Sequence, residues 1–566
     1  MSSELLSAKT VSESPEKLIE LGRDYFSKGN IYKAQIAFAL AVVTVPENKT
    51  YKAFFQHSVA GYSTGQFHDI LKQAIFLCLE EDDLMHLPMF FAWYSTLMLD
   101  PAHAALKNLL VHKDYDSFSQ NFSLNDVSSI LNSDFLRKGL EKLLMKNHDF
   151  ERILTHMRRY ALLRANERER VAAAPFLISL AIQCYFNEYI FYISEEEQQA
   201  LDKIRNSSRP PSTIDIIILA CYAPLHTASH ALKYADLLSQ SDYDASELIR
   251  LQITEPLQES ALKNEIKSFG SIKDRISRAV QTQYEEHPYP RWVSCGGIIR
   301  SAEEKKLSAG KKILVAGCGT GQQACMVSLR FPEAEITAID LSKSSLAYAK
   351  RKAKNMNRTN IDFLHGDILH LAALEKKFDY IACGGVLHHM DSPRAGFVSL
   401  KNVLAQDGVM RIALYSEIAR KDIVAVQKWA AEKNIPSTVE GMRNFRKIFV
   451  EGAYKEIFKE ALPFFDAFSA SECRDLFFHV QEHRFTWLEL KEILEDLQLD
   501  LLAVSPDAQG IKNKYVSLFP EDPKAVNLEN WHKFEHQNPN SFINMYKFYV
   551  AHKARHEPGQ IPQWLR

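Results

Sequence analysis

Three glycines at alternate positions, Gly317, Gly319 and Gly321, follow directly on the apolar run Lys312–Ala316 and lead into a helical stretch. A strand-to-helix turn this tight needs glycine, as does any ligand that must lie against backbone a Cβ would block. Asp340 ends the next β-branched run about twenty residues on, where a carboxylate accepts both hydroxyls of a ribose. Asp367 follows a third run, within His365-Gly366-Asp367-Ile368. A fourth, Phe378–Cys383, opens into Gly384-Gly385-Val386-Leu387-His388-His389-Met390. All these turns belong to the carboxyl edge of one sheet, where ligands bind in such folds. A nicotinamide dinucleotide site competes for the same residues, but its glycines are spaced G-x-G-x-x-G. Here the third glycine comes one residue early, and Gln322 stands where that pattern requires glycine.

Two further sets flank this one. Before it lies Gln283-Tyr284-Glu285-Glu286-His287-Pro288-Tyr289-Pro290-Arg291-Trp292. Its prolines fix an extended path crowded with aromatic, acidic and basic side chains, which suits a cover over the glycine turn better than a plain linker. After it lies Arg474-Asp475-Leu476-Phe477-Phe478-His479-Val480-Gln481-Glu482-His483-Arg484-Phe485, read as a helix. There His479, Glu482 and His483 match a zinc-binding pattern, with histidines four apart on one face and a glutamate beside them as base. A third ligand is not identifiable, so the bland alternative, a polar helix lining a cleft, is preferred and no metal is expected.

These groups meet only if the elements carrying them form a single sheet. From about Leu307 short β-branched runs alternate with amphipathic helices: Lys312–Ala316, Glu335–Asp340, Asn360–Leu364, Phe378–Cys383 and Gly408–Tyr415. Such alternation predicts an α/β fold with a parallel sheet covered on both faces. After a helical stretch from Lys421 to about Leu497, the runs Leu499–Val504 and Met545–Ala551 are expected to complete the sheet as an antiparallel, hairpin-like pair.

The half of the chain ahead of the sheet reads as all-α. Leu21-Gly22, Tyr25, Ala34, Phe38, Ala41 and Pro46 match the anchors of a tetratricopeptide repeat, with small residues letting two helices approach and aromatic rings filling the groove. The expected division is residues 1–117 tetratricopeptide-like, 118–265 a middle helical domain, 266–306 the aromatic and proline-rich cover, 307–420 the ligand-binding core, 421–498 a helical insertion and 499–566 the closing strands.

At 566 residues the chain is too long for one core. A formal charge of −2 argues against nucleic-acid binding by bulk electrostatics. The basic helix Lys343–Arg358 is read as a solvated face. Eight scattered cysteines without a Cys-x-x-Cys pair fit reduced thiols. The start Met1-Ser2-Ser3-Glu4 lacks the features of a signal peptide, and the uncharged run from Ile216 is broken by Pro224, His226 and His230, so a cytoplasmic protein without membrane spans is expected.

The segments Val315–Gly321, Ala338–Ser342, Gly366–Leu369 and Gly385–Met390 resemble the motifs of class I S-adenosylmethionine-dependent methyltransferases. The resemblance implies a Rossmann-like sheet with S-adenosylmethionine as cofactor. It places Gly317, Gly319 and Gly321 under the methionine part, Asp340 at the ribose, Asp367 and Ile368 around adenine and Cys383 and Gly384 beside the methyl donor, with Cys318 and Leu341 as further cofactor contacts. One departure stands out: many relatives carry an acidic residue two before the first glycine, where this chain has Val315. The two flanking motifs, with Trp531–Glu535 and Met545–Phe548, resemble bacterial methyltransferases in which tetratricopeptide repeats precede the catalytic domain, with a further likeness to bacterial protein lysine methyltransferases.

That family implies methyl transfer to an acceptor, expected to be a protein side chain bound through the helical half, with a homodimer as a further expectation. The alternatives are an inactive scaffold, for which Val315 is the hint, and a zinc metalloenzyme using His479, Glu482 and His483. An amine nucleophile must be neutral when it attacks, which calls for desolvation or a base. Tyr284, Glu285, His388 and His483 are the expected catalytic set, with His287, His389, His479 and Glu482 as further candidates.

Overall fold

The computed structural model describes residues 13–296, 306–450, 467–506 and 509–565. The end of the expected cover, 297–305, and the middle of the expected insertion, 451–466, lie outside the described residues.

Helices fill the first half, from Pro15–Ser27 to Glu255–Lys263. The first helix starts where its sequence says it should: the Ser14 side chain accepts the Lys17 N–H and Pro15 occupies the first turn. It packs on Ile31–Thr44 through Gly22, where a Cβ would stand 2.5 Å from the Phe38 ring. One continuous apolar core runs from Leu18 to Ile253. That core also takes in Val426, Met442, Phe445 and Phe477, so the helices inserted after the fifth sheet-forming run pack on the helical half. The junction includes a buried ion pair in which both Arg446 terminal nitrogens donate to Glu151 at 2.7 Å. Among the described residues no helix is long and apolar enough to cross a membrane.

The second half is built on an eight-stranded sheet: β1 (Lys267–Ser268), β2 (Lys312–Ala316), β3 (Glu335–Asp340), β4 (Ile361–His365), β5 (Phe378–Gly384), β6 (Leu404–Leu414), β7 (Leu499–Val504) and β8 (Tyr546–His552), in the order β1-β4-β3-β2-β5-β6-β8-β7. β8 is antiparallel to both its neighbours and the other pairings are parallel. Alternate residues of β2 bury in opposite layers, Leu314 and Ala316 in one and Ile313 and Val315 in the other. The strand order reverses between β2 and β5, and a crevice opens there beyond the carboxyl ends of the strands.

Three features depart from the sequence reading. β1 was not foreseen: two residues of the expected cover pair with β4, Lys267 opposite Leu364. β6 begins at Leu404 rather than Gly408, because the helix Pro393–Val403 runs straight into it and a register shift at Phe378/Tyr380 absorbs the extra residues. The late helix, Ala470–Phe477, stops before His479. Long-range pairing draws the following backbone away from the helical path: the His483 N–H donates to the His388 carbonyl at 2.7 Å and the Phe485 N–H to that of Tyr415 at 2.9 Å.

Candidate active site

A cavity of about 360 Å³ occupies the crevice. Gly317, Cys318, Gly319, Asp340, Leu341, Asp367, Ile368 and Gly384 line it, whereas Gly321 and Cys383 stand behind its wall. Gly317 and Gly319 take positive φ, +69° and +52°. A Cβ on Gly319 would stand 2.6 Å from the Tyr289 carbonyl oxygen, and one on Gly317 2.4 Å from Val386, so the loop is stripped of side chains on both counts.

Asp340 holds the loop in place. Its carboxylate accepts the Gly319 N–H at 2.8 Å and the Ser342 N–H at 2.9 Å. Burial pushes its pKa up to about 6, against the pull of those N–H groups. The carboxylate missing at Val315 is therefore not missed by the loop: Val315 is buried in the apolar layer, and Asp340 supplies the charge from the next strand. Asp367 caps the turn after β4 through Oδ1, which accepts the Leu369 N–H at 2.9 Å, while its buried Oδ2 has no partner.

Within the segment expected as a cover, Tyr289, Pro290 and Trp292 pack against the glycine loop. The helix Arg275–Glu286 delivers Tyr284, and the chain then turns through a cis Tyr289-Pro290 bond. The Thr320 hydroxyl donates to the Pro290 carbonyl, and the Trp292 indole N–H donates to the Thr320 carbonyl at 3.0 Å. Arg291 reaches back to Glu188 of the helical half at 2.9 Å.

Of the four expected catalytic side chains, only Tyr284 lines the cavity. Glu285 instead caps the helix Lys343–Asn355, accepting from the Lys343 N–H at 2.5 Å and the Ser344 hydroxyl at 2.6 Å, and pairs with Lys263. His388 is fully buried, stacked on Tyr415 at 3.9 Å, with neither ring nitrogen partnered. His483 meets the Gln481 side chain at 3.0 Å, away from the cavity.

The zinc pattern is dispersed along with the helix that was to carry it. Arg420 engages Glu482 through two nitrogens, at 3.2 and 2.6 Å. His479 joins a different group: ring nitrogens of His389 and His479 and a carboxylate oxygen of Asp475 all lie within 4.8 Å of one another. The Tyr284 hydroxyl donates to Asp475 at 2.7 Å and lies 3.2 Å from His479 Nε2. His389, Tyr415 and Asp475 line the same cavity as the glycine loop. Of these, Tyr415 reads in sequence only as the end of its strand and Asp475 only as part of the Arg474–Phe485 motif, so neither stands out as a site residue.

Residues 307–492 match the family described as Methyltransferase domain. The chain carries a methyltransferase domain. Over 175 residues it is 31% identical to an uncharacterized protein of Synechococcus, covering 28% of this chain and 42% of that one. Over 197 residues it is 25% identical to a malonyl-[acyl-carrier protein] O-methyltransferase of Paenibacillus, covering 34% of this chain and 70% of that enzyme. A ubiquinone biosynthesis O-methyltransferase of Glaesserella parasuis is 32% identical over 146 residues, covering 24% of this chain and 58% of that enzyme. The chain thus spans less than two thirds of the length of two of these three relatives, and the matches fall on the methyltransferase domain's scale rather than the whole chain's.

The methyl donor of such a domain is S-adenosylmethionine, and the residues present fit it. Gly317 and Gly319 line the cavity, and their missing side chains let Val386 and the Tyr289 carbonyl close in on the loop beside it. Asp340 keeps lone pairs for ribose hydroxyls beside the two it gives to the backbone. The buried, unpartnered Asp367 Oδ2 leaves an acceptor for a donor on such a ligand.

Proposed function

We propose that this protein is an S-adenosylmethionine-dependent methyltransferase whose acceptor is a protein side chain brought in on the helical half. When bound, S-adenosylmethionine supplies an electrophilic methyl group; the chain's task is to align a nucleophile and exclude water. Gly317 and Gly319 allow the close approach, Asp340 and Asp367 fix ribose and adenine, and the Tyr284–Trp292 segment closes the site over the loop.

One observation carries the protein-acceptor reading. Glu188, in the helical half, accepts the Ser471 N–H at 2.5 Å and also pairs with Arg291, so one side chain ties the helical half to both segments that wall the acceptor side. A docking surface joined in this way to the reaction cavity suits a macromolecular acceptor. With it go a tetratricopeptide-like role for the first helices, a likeness to protein lysine methyltransferases and a cytoplasmic setting.

The test is incubation with methyl-labelled S-adenosylmethionine and a cell lysate. Label in protein is the expected result, and label confined to small molecules or nucleic acid would overturn the acceptor while keeping the transferase. At a hundred times its dissociation constant the cofactor should stabilise the fold by about 2.7 kcal/mol. A melting temperature indifferent to saturating cofactor would sink the enzyme reading altogether.

A further inference from the structure

His389 and His479 stack with ring centroids 3.5 Å apart and planes within 20°. Both rings meet the backbone of one residue, Gln481, but in opposite senses. The Gln481 carbonyl lies 2.7 Å from His389 Nδ1, and a carbonyl only accepts, so Nδ1 carries the proton and Nε2 is left as a bare lone pair. The Gln481 N–H donates to His479 Nδ1 at 3.1 Å, so in that ring Nδ1 is bare and Nε2 carries the proton. Burial pushes both rings down to about 3, so each is neutral and has a single N–H.

The rest of the hydrogen-bond chain follows from those tautomers. His479 Nε2–H points its proton at the Tyr284 oxygen, 3.2 Å away, and the Tyr284 hydroxyl donates its own to Asp475 Oδ1 at 2.7 Å. The chain runs one way, from the Gln481 N–H through His479 and Tyr284, and it ends on a carboxylate. What remains towards the cavity is two acceptor atoms with no donor among the described residues, the second oxygen of the Asp475 carboxylate and His389 Nε2. Among the described residues Asp475 has no lysine or arginine in ion-pair contact, because its neighbour Arg420 is taken by Glu482. Arg411 and Lys547 also line the cavity, on β6 and β8.

We infer that the methyl acceptor is an amine, received as its ammonium with one N–H on the Asp475 carboxylate and another on His389 Nε2, and that Gln481 is the positioning residue that makes both acceptors available. The inference rests on the methyltransferase reading and adds the acceptor's chemistry to it. A hydroxyl brings one hydrogen and would leave one buried acceptor unmet; a carboxylate brings none and would be repelled by Asp475. An ammonium supplies both hydrogens and the charge that a buried carboxylate needs, and the Tyr289 and Tyr415 rings that line the same cavity suit a cation. One proton then passes from the ammonium nitrogen to Asp475. The freed electron pair forms the new C–N bond as sulfur keeps the pair of the breaking S–C bond, and the methylated nitrogen carries the positive charge. A divalent metal ion fits the same three residues less well. It would need a lone pair from His479 Nε2, which is protonated, and stacked rings aim their in-plane lone pairs side by side rather than at one point.

The test labels a lysate with methyl-labelled S-adenosylmethionine, with and without prior acetylation of its amines. Acetylation should abolish the labelling, and hydrolysates of the untreated sample should yield N-methyl amines. Label that survives acetylation, or that base releases as methanol from an ester, overturns the amine while leaving the methyltransferase standing. Asp475→Asn should lower labelling about a hundredfold or more, the scale of a lost general base. Its melting shift with cofactor should match the parent's, which shows that the donor side is intact. Asp475→Asn with unchanged labelling overturns the proposal, as does one equivalent of tightly held transition metal lost in His389→Ala.

Discussion

Along one wall of the cavity, Gly317, Gly319, Asp340 and Asp367 sit at the ends of β2, β3 and β4, consecutive strands in a single run of chain. Along the other, Tyr284, His389 and Asp475 arrive from a helix between β1 and β2, a turn after β5 and the end of a helix inserted between β6 and β7. The donor wall is fixed by hydrogen bonds of the sheet and its turns. The acceptor wall is fixed by contacts with the helical half, through Glu188 to Arg291 and Ser471, and Glu151 to Arg446. A site built this way separates what is common to a chemistry from what is particular to a substrate, and it lets the second be adjusted without disturbing the first.

That contrast can be broken outright at the donor wall. Gly319→Val places a side chain against the Tyr289 carbonyl at a positive φ, and the expected result is complete loss of the cofactor-dependent melting shift, with circular dichroism reporting whether the fold survives. At the junction with the acceptor wall, Glu151→Ala leaves Arg446 buried without its partner and should cost about 3–5 kcal/mol in chemical denaturation. If the walls are independent, its surviving folded fraction still binds cofactor while methyl transfer falls; parallel loss of both would show that they are not. Asp340→Ala should weaken cofactor binding by about 1.5–3 kcal/mol, read by calorimetry, since it removes a charged hydrogen-bond acceptor.

The smallest effect expected is on pH. Asp340 in the free protein has its pKa raised to about 6, above the ordinary carboxylate value, so it binds a proton as pH falls through that point. Ribose hydroxyls favour the ionised form, so cofactor affinity should fall below pH 6, by about tenfold between pH 7 and pH 5. The stability that protonated Asp340 lends the free fold has the opposite trend, complete in acid and lost as pH rises through about 6. A flat affinity profile across that range would remove Asp340 from the ribose.

The donor wall was largely legible in the sequence because its signals are local. A glycine turn after an apolar run, and a carboxylate at the end of the next, mean the same thing wherever they occur in an α/β chain. β2, β3 and β7 fall on the residues expected for that reason. The acceptor wall was legible only in outline. The spacing of His479 and His483 reads as one helix face, yet that backbone is claimed by His388 and Tyr415, about ninety-five and seventy residues away in the chain, and no local pattern records such a claim. Glu285 and His388 look chemical in sequence and prove to be a helix cap and a buried ring. Asp475 stands in a motif read for its histidines, and its own meaning comes from Tyr284 reaching it across the fold.

The two-residue strand β1 has a consequence for how this molecule can be divided or inherited. The residues that leave the helical half, Lys267 and Ser268, form the outer margin of the sheet against β4, ahead of residue 307 where the methyltransferase match begins. A fragment started at that boundary would bare the flank of β4 to pairing with its own copies, and would shed Tyr284 and Trp292 as well. The catalytic half is therefore not a cassette that recombination could graft onto another carrier unaltered. A clean cut between the halves would have to fall ahead of Lys267.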